Sequence, residues 1–144
     1  MAEPTLDFWP DIATMRPRTT PLSLMKQQAA LLGKHTNNLL EGDVSSDATR
    51  GRLTHRFFIK APTLDYRYEV FRVSHDLISL YPVRVEAGPH KANFTEKDRT
   101  WESEEAFKDR TLESEGAFLE WLKEVLNSED TKRVLGSLLA QSEA

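Results

Sequence analysis

Cysteine is missing from all 144 residues, which excludes a disulfide framework and thiolate chemistry. No apolar run approaches the about 20 residues that a membrane-spanning helix needs, and Met1 does not open a signal-peptide pattern. The expectation is a soluble cytoplasmic protein with no membrane partner. Glycine-rich phosphate loops, dinucleotide fingerprints, His-Glu-x-x-His and Gly-x-Ser-x-Gly are missing as well. The four histidines, His35, His55, His75 and His90, stand singly without metal-ligand spacing. The sequence thus offers no catalytic residue, metal ligand or cofactor signature, and it leans away from an enzyme.

What is present is architecture. A chain of this length fits one domain, able to bury roughly two-thirds of the surface it exposes when unfolded. Residues 52–86 read as three successive strands, with period-two alternation, many β-branched and aromatic side chains, and turn-forming breaks at Ala61–Leu64 and Ser74–Leu77. With Pro62 and Thr63 as a two-residue turn, Ile59 is expected opposite Tyr66, Phe57 opposite Tyr68, His55 opposite Val70, Leu53 opposite Arg72 and Arg56 opposite Glu69. A second turn at His75-Asp76 sets Tyr66 against Val85, Tyr68 against Val83 and Val70 against Tyr81. Thr36 to Val44 is a weaker strand candidate, whose Gly42 suggests a bulge or an edge, followed by a polar loop over 45–51.

Helices are expected on either side of these strands. Thr20-Pro21 forms an N-cap with proline at the first helical position, and Leu22, Met25, Ala29 and Leu32 recur along one face before Gly33, giving a helix over 21–33. The motif Glu-Ser-Glu-x-Ala-Phe occurs at 102–107 and again at 113–118, and each copy looks like a serine-capped helix start rather than a repeat array. Phe118, Trp121, Leu122, Val125 and Leu126, then, after a cap at Ser128-Glu129-Asp130, Val134, Leu135, Leu138 and Leu139, form two apolar faces joined closely enough for an αα-hairpin. The predicted fold is α+β, a single domain over 1–144. It consists of a four-stranded antiparallel meander (36–86), covered on one face by the N-terminal helix (21–33) and the C-terminal helical hairpin (within 100–141). An extended arm over 1–19 is laid across the body or onto a neighbour.

Three surfaces compete for function. The arm carries Leu6, Phe8, Trp9 and Ile12 in a stretch too broken by proline for a helix, and aromatic anchors are what interfaces favour. This arm, or the acidic helical tail, points to a non-catalytic protein-interaction module that self-associates or acts as a small inhibitor or accessory protein. A gap between sheet and helices would instead make a small-ligand or enzymatic pocket lined by His55, Tyr66, Tyr68, Arg72 and Tyr81. The opposite sheet face carries Arg56, Phe58, Lys60, Arg67 and Arg84, a basic and aromatic surface of the kind that takes single-stranded nucleic acid. Charge is uneven: residues 50–84 hold seven basic and three acidic groups, whereas 95–144 hold seven basic and thirteen acidic. Glu69 and Glu86 interrupt the basic face and the chain is −4 overall, so nucleic acid is the least favoured partner.

Overall fold

The computed structural model describes residues 5–17, 19–87 and 110–143. Its centre is a five-stranded antiparallel sheet in sequential order: β1 (Glu41–Thr49), β2 (Arg52–Ala61), β3 (Tyr66–Asp76), β4 (Val83–Ala87) and β5 (Arg110–Leu112). The four-stranded expectation is therefore corrected. The additional strand, β5, sets Leu112 opposite Val83 and Arg110 opposite Val85. It lies in a stretch assigned to helices from sequence, and three residues are too few to display an alternation.

The first strand is also displaced from its expected position. Residues 36–40 turn the chain, with Asn37 and Asn38 in the left-handed region that asparagine tolerates. The polar stretch 45–49, expected as loop, continues the strand. Arg50 and Gly51 both have positive φ, 53° and 79°, the geometry of a two-residue type I′ turn whose twist suits a hairpin. Thr49 accordingly pairs with Arg52.

Both predicted registers slip. Pro62–Leu64 forms a 3₁₀ turn closed by Asp65 at φ 49°, so four residues rather than two separate Ala61 from its partner Tyr66. Ile59 then faces Tyr68, and a bulge at Phe57/Phe58 shifts the rest so that Phe57 faces Phe71, His55 faces Val73 and Arg56 faces Arg72. The bulge lets the consecutive residues Val70 and Phe71 both be buried. The β3–β4 connection is longer than a hairpin turn and contains a cis Tyr81–Pro82 bond. Because that connection is long, Val85 meets Val73, not Tyr66, and along β3 the strand β4 reaches only Phe71–Ser74.

One face of the sheet carries the core. Phe57, Ile59, Phe71, Val73, Val83, Val85 and Leu112 pack with Leu24 and Met25 of α2 (Pro21–His35), with Phe118, Trp121, Leu122 and Val125 of α3 (Glu115–Leu126), and with Leu138 of α4 (Glu129–Glu143). The stacked pair Phe57–Phe71, 5.1 Å between centroids, receives the edge of Trp121 at 90°. Each long helix begins on a hydroxyl cap, as its sequence implied. Thr20 and Ser23 form a reciprocal capping box on α2, Ser114 accepts from Ala117 N–H, and Ser128 accepts from Thr131 N–H. The first copy of the Glu-Ser-Glu motif lies outside the described residues.

Candidate interaction surfaces

Residues 5–17 form an arm that contributes nothing to the core. Leu6, Phe8, Trp9, Ile12 and Met15 are 73, 88, 75, 61 and 62 % exposed. The arm is not laid across the body, as the sequence had allowed. It nonetheless has a local shape: the Asp7 carboxylate accepts from Trp9 N–H at 3.0 Å, and Thr14 donates to the Asp11 carbonyl at 2.8 Å at the start of the single-turn helix α1 (Ile12–Met15). An aspartate turn followed by Pro10 fixes the backbone on which Phe8 and Trp9 are displayed. Where the arm joins the body, the Thr19 hydroxyl donates to the Glu115 carboxylate.

The residues expected to share a pocket separate into four places. Tyr66 and Tyr68 stay together on the core face, at the end of β3 that β4 does not reach. Here α4 runs past the sheet and leaves a groove of about 580 Å³, walled by Leu64, Tyr66 and Tyr68 on one side and by Arg133, Val134 and Leu138 on the other. A second cleft of about 300 Å³ lies across Tyr68 against Val70, Val125 and Thr131. Burial, and then the nearby Asp130 carboxylate, push the Tyr68 phenol above its ordinary pKa. Among the described residues Arg133 is the single charged one lining the groove, and it is held by Asp130 at 3.3 Å on the surface. Sequence reasoning missed the α4 wall, because Val134 and Leu138 read only as core positions of the helical hairpin.

His55 is elsewhere. It is buried to 1 % exposure beside His75, itself at 3 %, with 5.5 Å between the ring centroids. Its Nδ1 lies 2.7 Å from the Ser46 hydroxyl. His75 Nδ1 lies 2.8 Å and 3.0 Å from the carbonyls of Asp76 and Ser79, so it carries a proton and donates. Both rings thus have structural partners. Tyr81 sits near Glu115; burial and then that carboxylate push its phenol up to about 12. Arg72, expected beside the tyrosines, is on the other face of the sheet. The longer turn and the bulge place it opposite Arg56, where its guanidinium holds both oxygens of Glu69 at 2.9–3.1 Å.

That other face carries Arg56, Phe58, Lys60, Arg67 and Arg84 together, as the alternation implied, but interleaved with carboxylates. Arg67 bonds Asp43 at 3.2 Å and covers the Phe58 ring at 3.7 Å from its centroid. Arg56 lies 3.5 Å from Glu69 and 3.8 Å from Asp47, while Arg52 pairs with Asp76 at 3.0 Å. Phe58 is the buried aromatic of this face, lidded by a cation rather than offered to a base.

Among the described residues no three His, Asp or Glu side chains are grouped to hold a metal ion, and no helix is long and apolar enough to cross a membrane. Comparison with protein-family models, curated proteins and solved structures finds no match to this chain.

Proposed function

We propose that the chain is a non-catalytic protein-interaction module that self-associates through its N-terminal arm. The observation that carries this reading is the exposure of Leu6, Phe8, Trp9, Ile12 and Met15 on a backbone shaped by its own hydrogen bonds. Burying Phe8 and Trp9 alone would remove about 300 Å² from water. With the aliphatic residues beside them, a pair of exchanged arms approaches the roughly 1,000 Å² of total buried area that a specific interface needs. Local order in the arm also lowers the entropy lost on docking.

Sedimentation velocity over a concentration series, on the full chain and on the Phe8→Ser/Trp9→Ser double variant, tests the reading. The expected result is an oligomer that falls to monomer mass in the variant while the circular dichroism spectrum is unchanged. A full chain that stays monomeric at every concentration overturns it.

A further inference from the structure

We infer that the receptor for the arm is the groove between the start of β3 and α4 of a second copy of this chain, with Phe8 and Trp9 inserted against Tyr66 and Tyr68. The inference rests on the self-association proposed above and adds where the arm goes.

Two features lack counterparts among the described residues of the molecule. The arm offers two adjacent aromatic side chains, Phe8 and Trp9, that no described residue buries. The groove offers about 580 Å³ walled by tyrosine rings and aliphatic side chains, a volume that ordinarily admits a ligand of several rings. Tyr66 is half exposed and Leu64 more than a third exposed, so the groove is open at its β3 rim. Aromatic pairs gain from offset or edge contacts beyond their area, and the groove presents two rings side by side.

Charge matches as well. Phe8 and Trp9 are bracketed by Asp7 and Asp11, whereas among the described residues the one charged group lining the groove is Arg133. The Arg133–Asp130 pair is widely exposed at 3.3 Å, and such a pair is worth little, so the guanidinium can turn to an incoming Asp7 or Asp11 at small cost. The groove owes its existence to the β4 register: β4 pairs with Phe71–Ser74 and leaves Tyr66 and Tyr68 beside α4. Insertion into a second copy makes each chain both donor and acceptor, which closes as a reciprocal dimer or continues as a chain of copies.

A complementation experiment between two full-length variants tests the assignment. Ser137→Glu places a carboxylate beside Arg133 on the exposed α4 wall of the groove, where it repels Asp7 and Asp11, and leaves the arm intact. Phe8→Ser/Trp9→Ser blunts the arm and leaves the groove intact. Each variant alone is expected at monomer mass, with circular dichroism showing the native fold. Mixed in equal amounts they should regain a one-to-one complex, because one supplies the arm and the other the groove. Asp7→Arg/Asp11→Arg should weaken association at least tenfold, and Arg133→Asp on the same chain should restore part of it. If the arm variant dissociates the oligomer while Ser137→Glu does not, the groove assignment is overturned and the arm reading stands. If the full chain is monomeric throughout, both fall. If each variant is monomeric and the mixture stays so, the arm does not enter the groove of a second copy.

Discussion

At His55 the core face of the sheet meets a buried titratable group. The ring lies against His75 of β3 and Ser46 of β1, while the charges of Lys26 on α2 and of Asp47, on the other face of β1, act on it from farther off. Burial lowers its pKa from 6.5 to about 4, with His75 and Lys26 acting in the same direction and Asp47 against them. In the unfolded chain the ring titrates near its ordinary value, so between pH 6.5 and about 4 the unfolded state binds more protons than the folded one. The stability tied to a neutral His55 is therefore complete above pH 6.5 and is lost as the pH falls towards 4, by an amount of the order of 3 kcal/mol. Urea midpoints measured from pH 7 to 4 should fall more steeply in the native chain than in His55→Phe. Parallel curves would show that another group governs acid sensitivity.

Among the elements, α2 and β1 are bound most closely by an absence. A Cβ on Gly42 would lie 2.3 Å from Ala29 Cα and 2.9 Å from the Ala29 carbonyl oxygen. Those are backbone atoms that no rotamer change can move. Gly42→Ala should therefore push α2 off the edge strand and cost about 1–3 kcal/mol or more, as overpacking does, and Ala29→Gly should not restore it because the Cα remains. An unchanged denaturation midpoint in Gly42→Ala would mean that α2 does not rest on β1. The same position shows what the sequence could reveal of the elements. Glycine within the strand candidate marked a special site, yet nothing local told close helix approach from a bulge. Helix starts were legible at Thr20, Ser114 and Ser128, since a cap is written in adjacent residues, and the strands of 52–86 were legible from alternation. The registers were not. They depend on whether Pro62 opens a two- or a four-residue turn and on a bulge beside Phe58, and these non-local choices moved Arg72 across the sheet and left Tyr66 and Tyr68 facing α4. β1 was half legible, because the alternation of Leu40, Gly42 and Val44 gives way to polar residues that an edge strand tolerates.

For the whole molecule, the distribution of charge decides what the open face of the sheet can bind. Arg52, Arg56, Lys60, Arg67, Arg72 and Arg84 share that face with Glu41, Asp43, Asp47, Glu69, Asp76 and Glu86, so six cations meet six carboxylates. Individually, surface pairs such as Arg52–Asp76 and Arg67–Asp43 contribute at most about 1 kcal/mol. Together they cancel the field that would concentrate a polyanion. A phosphate backbone would have to displace Asp43 from Arg67 and Glu69 from Arg72, and a base would find the Phe58 ring already covered by the Arg67 guanidinium. Nucleic-acid affinity rests on cations that release counterions from phosphate, and a neutral lattice on a chain of net charge −4 does not supply them. Fluorescence anisotropy of a labelled single-stranded RNA at about 0.15 M salt should stay flat to concentrations where ordinary non-specific binders, with Kd of about 10⁻⁴–10⁻⁶ M, saturate. Saturable binding that weakens steeply with salt and disappears in Arg67→Glu would overturn this and make the sheet face a nucleic-acid surface. Removing carboxylates should move the molecule in that direction: Asp43→Asn/Asp47→Asn leaves six cations against four carboxylates, and the first measurable, salt-sensitive RNA binding is expected in that variant rather than in the native chain.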